Sequence, residues 1–470
     1  MIKRPIAIFT ELTPTTDLAE HLRAESEKAL QLQIRAMLVA MVVLECANSA
    51  ANFALPFYLK DTIGFGSIGF IIAAYYIVSL STASWFGRIS DRFGRKPFIV
   101  SGTLVIGLTY LPFPAFQAIE RATGIDGVVI LMLANFGKGI GAAMMAGSMI
   151  ALFADVTTPE TRGETMGKLY AFRAAGGAVG FVIGGALWDL ISAGGFIVFG
   201  CIIFIAGLLF LRMREPRKFA TMIRELEPPL ETSNPFTAML EVLKNRQFRT
   251  FSIVWLSYTS MIGLIVTWLP STLAKVTSQD SEEGVSGLSL AIIILLVLLI
   301  AGAAQPLYGR LSDTYGRKPF LLLGVQCTAI AVFFLYQLMT QPDVIVEFMG
   351  KPFSSHEIGL QFGPMKVTVS SYVLLVFLVV VLLGAAAFPA SSLGLLTDVT
   401  DENQRGQGMG LYSALNAVGN ILGILAGGIF YNAFGIQGLM ALCLTFAVIS
   451  ALVLIKFLLE TTTFQWLPGI

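Results

Sequence analysis

Charged residues are scarce in this chain: they make up 13% of its 470 residues, whereas 55% are hydrophobic and the mean hydropathy is +0.76. A soluble globular domain carries about 25% charged residues, so this composition excludes a soluble fold. The chain is therefore expected to be a polytopic protein of the lipid bilayer. Its formal net charge of +1 gives no reason to expect a nucleic-acid partner.

Histidine and cysteine are also rare. The only histidines are His21 and His356, which excludes a histidine metal cluster and leaves no convincing Ser-His-Asp or Cys-His set. No Gly-x4-Gly-Lys-Ser/Thr loop for ATP is present. The cysteines all lie in apolar segments and are interpreted as small buried side chains; they are Cys46, Cys201, Cys327 and Cys443. We therefore expect no enzyme activity, no metal and no cofactor.

One short motif occurs twice. The stretch from Gly87 to Phe98 reads GRISDRFGRKPF, and the stretch from Gly309 to Phe320 reads GRLSDTYGRKPF. The two copies are 222 residues apart, about half the chain, which indicates a duplicated fold. A second repeat supports this: Asp155 and Asp398 close apolar segments and stand 243 residues apart.

This motif resembles the signature loop between helices 2 and 3 of the major facilitator superfamily, which recurs between helices 8 and 9. The resemblance implies secondary transport by two bundles that rock about a central site. It also implies that Asp91 meets the N-terminus of segment 11 when the cytoplasmic side closes, and that two charge clusters act as a conformational latch. The latch residues would be Gly87, Asp91, Arg95, Asp155, Asp313, Arg317 and Asp398.

Twelve apolar segments have about the 20 residues needed to span a bilayer. They lie near 34–60, 67–86, 97–119, 128–154, 164–190, 194–212, 249–275, 286–308, 319–340, 368–397, 407–433 and 436–459. The predicted fold is an all-α membrane protein with twelve transmembrane helices in two six-helix pseudo-symmetric bundles. The predicted parts are an N-terminal segment 1–33, a bundle 34–212, a linker with a surface helix 213–248, a bundle 249–459 and a tail 460–470.

Basic residues are concentrated in the N-terminal segment, the linker and both signature loops. The positive-inside rule therefore places both termini in the cytoplasm of a cell-membrane protein. The N-terminal segment reads either as a surface-lying amphipathic helix or as a frayed tail, and both readings remain open.

Three ionisable residues lie deep inside predicted spans, where each is costly. Glu45 is in segment 1, Lys138 in segment 4 and Arg173 in segment 5. Glu45 and Arg173 lie at similar depth, so we expect them to pair, with Glu45 carrying a proton and Arg173 tuning it. A purely structural pair is the alternative. Lys138 is expected in the substrate cavity, where it could hold a carboxylate.

Uncharged polar residues extend the predicted cavity. Asn48 and Asn52 share one face of segment 1 with Glu45. The second half contributes Tyr258, Thr259, Asn416 and Asn420. Segment 5 also carries Gly176, Gly180 and Gly184, a face of small residues for close helix packing.

Together these features predict a monomeric secondary transporter that couples protons to the export of a small organic solute, a drug or metabolite. Proton-coupled uptake of an organic anion is one alternative, because of Lys138. The other is a receptor or scaffold that does not transport. Departures from the family's antiporter motifs at Asn135 and Phe181 weaken the assignment to ordinary drug–proton antiporters.

Overall fold

The computed structural model describes residues 16–63, 65–155, 159–212, 243–279, 287–339, 357–362, 365–399 and 405–457. The first half contains α1 (Thr16–Ile63), α2 (Phe65–Phe93), α3 (Arg95–Leu108), α4 (Pro112–Thr123), α5 (Gly127–Asp155), α6 (Pro159–Ile191) and α7 (Gly195–Phe210). The second half contains α8 (Arg246–Gln279), α9 (Gly287–Tyr315), α10 (Arg317–Met339), β1 (Glu357–Phe362), β2 (Met365–Ser370), α11 (Ser371–Ala385), α12 (Ala387–Val399) and α13 (Arg405–Phe457).

Local residues explain where the helices break. Gly94 and Gly316 separate α2 from α3 and α9 from α10 at φ of 100° and 93°, values that a side chain would strain. The turn before Pro112 bends the third predicted segment by 62°, and the ring of Pro112 suits the first turn of α4. Gly435, at φ 63°, interrupts α13.

By length and apolarity, the described residues contain seven helical stretches able to cross a membrane, or eight if the bent pair α3–α4 counts as one. Two of these stretches, Ala171–Phe210 and Leu411–Lys456, are 40 and 46 residues long. A single span needs about 20 residues, so each stretch is long enough for two. The count of twelve spans in two six-helix bundles stays a prediction.

The expectation of an all-α chain is wrong in one segment. β1 and β2 form an antiparallel hairpin in which Glu357 pairs with Ser370 and Phe362 with Met365. Residues 368–370, predicted to open segment 10, therefore belong to a strand. The helix begins only at Ser371, because Ser370 has extended backbone angles and its hydroxyl accepts from the Val373 amide.

The predicted N-terminal segment and the first predicted span belong to one continuous helix. α1 runs without a break from Thr16, so the predicted boundary between residues 33 and 34 falls inside one helix. Most of the predicted linker, residues 213–242, and the predicted tail, 460–470, lie outside the described residues.

Contacts among the described helices are mainly within each half. α1 packs on α6 and α7, and α5 packs on α2 and α3. In the second half α8 packs extensively on α13, and α10 packs on α11, α12 and α13. The halves meet where α2 contacts α13, where α6 contacts α9 and, less extensively, where α1 contacts α8.

At the end of the molecule opposite the signature loops, a hydrogen bond joins the two halves. The Leu288 amide at the start of α9 donates to Asp189 Oδ2 at the end of α6, at 2.9 Å. Phe53 and Phe57 of α1 pack beside it with Ala291 of α9. Contact between the halves at this end therefore combines a helix cap with apolar packing.

Candidate functional site

A polar stripe on α1 gathers partners from three other parts of the first half. Glu45, Asn48 and Asn52 are separated by three and four residues, a spacing that puts them on one face of the helix. At 1.5 Å per residue the stripe is about 10 Å long. Asn52 is solvent-exposed although Ala51 and Phe53 on either side are buried, so this end of the stripe is accessible.

Lys138 of α5 contacts the Asn52 end of the stripe. Its Nζ donates to Asn52 Oδ1 at 2.6 Å, and the side chain is only 4% exposed. The ammonium also lies 5.3 Å from the ring centre of Tyr75 and 5.0 Å from that of Tyr110, within the range of cation–π attraction. A buried cation is thus held by an amide oxygen and two aromatic rings.

The middle of the stripe is fixed more weakly. The Tyr110 hydroxyl donates to Asn48 Oδ1 at 3.4 Å, near the upper limit for a hydrogen bond. Because Tyr110 also lies under Lys138, one side chain connects Asn48 to the Lys138 site.

Glu45 and Arg173 form the third contact of the stripe. Arg173 Nε lies 3.5 Å from Glu45 Oε2, and the side chains are 35% and 20% exposed, respectively. Charge-assisted hydrogen bonds are about 2.7–2.9 Å long, so this is a loose ion pair that a small movement could open. The pair expected from the sequence is present.

The second half has a different interior, built from stacked aromatic rings. The rings of Tyr258 and Phe388 stack with centres 3.7 Å apart, and those of Trp255 and Tyr412 with centres 4.1 Å apart. Trp255 Nε1 also donates to the Tyr412 carbonyl oxygen at 3.0 Å. We call these four residues, with Phe251, the aromatic stack.

Two residues predicted for the cavity therefore lie in packed surroundings. Tyr258 is 6% exposed within the aromatic stack, and Thr259 is 2% exposed with its hydroxyl donating to the Trp255 carbonyl at 2.8 Å. Their place in a substrate cavity stays a prediction; in this structure α8 turns this face towards α12 and α13.

Asn416 and Asn420 of α13 remain accessible. Asn420 Nδ2 donates to the carbonyl oxygen of Asn416 at 2.7 Å and to its Oδ1 at 3.1 Å, and Asn416 is exposed. Asn416 is therefore the accessible polar candidate of the second half among those that the sequence predicts.

The sequence reasoning missed Tyr75 and Tyr110 in the first half, and Phe388 and Tyr412 in the second. Aromatic residues in apolar segments are usually structural, so each alone carries little signal.

The two signature loops fold alike in the described residues. Ser90 donates to the Gly87 carbonyl at 2.8 Å and accepts from Arg95 at 3.2 Å. In the second copy Ser312 donates to the Gly309 carbonyl at 2.9 Å and accepts from Arg317 at 2.8 Å. The two copies of the motif, 222 residues apart, therefore share these hydrogen bonds as well as most of their amino-acid sequence.

The second charge cluster of the predicted latch is assembled. Arg317 Nε binds Asp398 Oδ2 at 2.9 Å, and its Nη1 pairs with Asp313 Oδ1. The arginine side chain is 12% exposed, whereas Asp313 and Asp398 are 61% and 32% exposed. In the first copy the side chains of Asp91 and Asp155 lie outside what the structure describes.

Comparison with known proteins gives consistent matches. The sequence matches the family model of the Major Facilitator Superfamily over residues 37–349 and 280–469. A tetracycline resistance protein, class B, of Escherichia coli is 24% identical over 82% of this chain and 89% of its own length. Multidrug resistance protein 1 of Bacillus subtilis is 23% identical over 78% of this chain and 81% of its own length.

Other matches are partial or structural. A glycine betaine/proline/ectoine/pipecolic acid transporter of Dickeya dadantii is 25% identical over 57% of this chain, and the match spans about half, 54%, of that protein. A crystal structure of a bacterial homolog of the human lysosomal transporter Spinster, inward-facing and unoccupied, superposes with a TM-score of 0.67 at 14% identity, covering 91% of this chain and 98% of that one. At this identity the structural likeness concerns the fold.

Proposed function

Because the chain belongs to the Major Facilitator Superfamily, a family of transporters of small solutes, we propose that it exports a small organic solute, a drug or metabolite, through the cell membrane in exchange for protons. The relatives named for multidrug and tetracycline resistance support this choice of solute and direction. The proposed mechanism is alternating access by a monomer whose two halves rock about the polar stripe of α1.

The observation that carries the coupling proposal is the loose ion pair between Glu45 and Arg173. A charged residue at the centre of a span costs about 2.5–3.5 kcal/mol by insertion scales. A carboxylate that is alternately wetted and enclosed can therefore change between charged and protonated forms. When Arg173 approaches, it favours the charged form; when it moves away, it favours proton uptake.

The signature loops are proposed to hold the closed state on the cytoplasmic side. An anion at a helix N-terminus contributes about 0.3–1 kcal/mol when exposed and up to about 2 kcal/mol when partly buried. Contributions of this size shift a balanced two-state equilibrium several-fold or more. The assembled Asp313–Arg317–Asp398 cluster supports such a role for the second loop.

The coupling proposal is tested in proteoliposomes with a panel of tetracycline, proline and glycine betaine, the solutes named for relatives. In Glu45→Gln, exchange of an accepted solute across the bilayer should persist, while accumulation driven by an imposed pH gradient should be lost. Glu357→Gln, at an exposed position of strand β1, is the matched control and should respond as the wild type does. Gradient-driven accumulation by Glu45→Gln would return Glu45 to a structural role.

Two alternatives give different results in the same vesicles. Proton-coupled uptake of an organic anion is favoured by Lys138, a buried cation, and would show solute and protons moving in the same direction. A receptor or scaffold on the same fold would bind a solute without counterflow.

The proposed orientation, with both termini in the cytoplasm, is tested by cysteine labelling of intact cells. Ser354→Cys, between the predicted segments 319–340 and 368–397 and so outside the cell, should react with an impermeant reagent, whereas Ser233→Cys, in the predicted linker, should not. The reverse pattern would overturn the topology inferred from the basic residues.

A further inference from the structure

Lys138 is a buried cation without a carboxylate partner in the part of the chain that the structure describes. Other charged side chains do have carboxylate partners: Arg173 pairs with Glu45, and Arg317 pairs with Asp313 and Asp398. Lys138 instead has one amide oxygen at 2.6 Å and two aromatic rings. An ammonium has three donors, and only the one to Asn52 Oδ1 is used in a hydrogen bond among the described contacts, so Lys138 can donate to a further acceptor.

The charges along the polar stripe do not cancel. Glu45 supplies one negative charge, whereas Arg173 and Lys138 supply two positive charges. In an apolar interior an uncompensated charge is costly, and a bound anion would remove that cost. One excess positive charge matches a solute with a single carboxylate better than it matches a doubly charged phosphate.

The residues around Lys138 also give a solute access to the ammonium and supply a second hydrogen-bond donor. Asn52 is exposed and bonded directly to Lys138 Nζ, so a solute that binds at Asn52 lies next to the ammonium. The Asn52 amide group can donate to the same anion, and the half-buried Tyr75 ring can pack on the body of the solute. Tyr110 is 1% exposed and supports the ammonium from beneath. The site combines a fixed cation, an amide donor and flat apolar walls.

We propose that Lys138, Asn52, Tyr75 and Tyr110 form the carboxylate-binding point of the solute site, and that the transported solute carries one carboxylate group. This inference rests on the proposed transport function and adds the charge class of its solute. It restricts the solute to drugs or metabolites with a carboxylate group, and it holds for either direction of transport.

The test is a binding experiment on the purified full chain in detergent, with no membrane and no gradient. Acetate, benzoate and 1-naphthoate are compared with acetamide, benzamide and 1-naphthamide by calorimetric titration. At least one acid should bind about tenfold to a hundredfold more tightly than its amide, the difference expected for a hydrogen bond to a charged group. No preference for any acid over its amide would overturn the proposal.

Two substitutions identify Lys138 as the source of that preference. Lys138→Met should abolish it, and Lys138→Arg, which keeps the positive charge, should largely retain it. Lys244→Met is the matched control, because Lys244 is exposed just before α8, and it should bind as the wild type does. A preference that survives in Lys138→Met contradicts the assignment.

Asn52→Asp tests the same site while keeping the buried cation Lys138 in place. The new carboxylate would lie next to Nζ and act as a built-in anion. It should raise the thermal unfolding midpoint and abolish binding of the acids; unchanged binding of the acids would contradict the proposal.

Failure of this inference can be distinguished from failure of the proposed function. Carboxylate binding without proton-coupled flux would contradict the proposed function alone, whereas coupled flux of only neutral or cationic solutes would contradict this inference alone.

Discussion

The two halves of the chain share a backbone framework but fill it with different chemistry. In the first half, a stripe on α1 brings together Glu45, Arg173 and Lys138. In the second half, the corresponding region between α8, α12 and α13 holds the aromatic stack. The two signature loops thus share one hydrogen-bond pattern, whereas the described interiors differ, with charged side chains in the first half and stacked rings in the second.

Glycine contacts show how far the shared framework extends. Gly176, Gly180 and Gly184 of α6 face the backbone of Val42, Cys46 and Ala50 on α1. Gly419, Gly423 and Gly427 of α13 face α8 at Thr259, Ser260 and Trp268, and each lies 243 residues after its counterpart. The same helix pair in each half is therefore brought together by three glycines at four-residue spacing.

The largest expected effect tests whether the aromatic stack is a structural core. Phe388 is fully buried against Tyr258, and Phe388→Ala should lower the free energy of unfolding by about 3–5 kcal/mol. Thermal unfolding in detergent measures this. Phe136→Ala, at a first-half position that is 46% exposed, is the control and should change stability little. Equal effects of the two substitutions would mean that the stack is not the core of the second half.

A smaller effect tests the equivalence of the glycine contacts. A Cβ at position 176 would lie 2.7 Å from the Val42 carbonyl oxygen, and Gly423 faces the Ser260 carbonyl even more closely. Gly176→Ala and Gly423→Ala should each cost about 1–3 kcal/mol by overpacking, again measured by thermal unfolding.

Two other helical glycines serve as controls for these substitutions. A Cβ added to Gly147 or to Gly302 would have no neighbouring atom within 4 Å, so Gly147→Ala and Gly302→Ala should be neutral or slightly stabilising. If only one half were sensitive to the tight substitutions, the two helix pairs would not be equivalent.

The smallest expected effect tests whether the two signature loops contain equivalent charge clusters. Arg317→Gln removes the centre of the cluster with Asp313 and Asp398 and should cost about 1 kcal/mol, the upper end for ion pairs with exposed partners. Arg95→Gln should cost a similar amount if Asp91 and Asp155 form the equivalent cluster. Both variants should also slow solute flux while leaving binding affinity nearly unchanged.

High salt provides the control for the loop prediction. Screening weakens interactions between exposed charges, so the difference between Arg317→Gln and the wild type should shrink as salt increases. A cost that is independent of salt would point to lost packing of the arginine stem.

Patterns along the chain were enough to predict some parts of the site. Hydropathy located the apolar segments, and equal depth along neighbouring spans brought Glu45 and Arg173 together. The four-residue spacing of Gly176, Gly180 and Gly184 also predicted a close helix contact, which the structure places against α1. These features depend on period and depth, which a sequence records directly.

Other features needed contacts between helices that are distant in sequence. Lys138 lies 86 residues from Asn52 and Tyr110 lies 62 residues from Asn48, and no local pattern encodes these pairings. Tyr258 was predicted to face a cavity but is stacked on Phe388, because helix rotation is decided by the packing of α8 against α12 and α13.

The order of residues alone predicted a duplicated membrane protein of helical spans, with charged residues deep within the predicted spans only in its first half. Packing in three dimensions settled which of those charges find partners, placing Glu45 against Arg173 and leaving Lys138 with an amide and two rings. The physical reason is that apolar periodicity fixes how deep a residue lies in the membrane, whereas side-chain packing between helices fixes what it meets there.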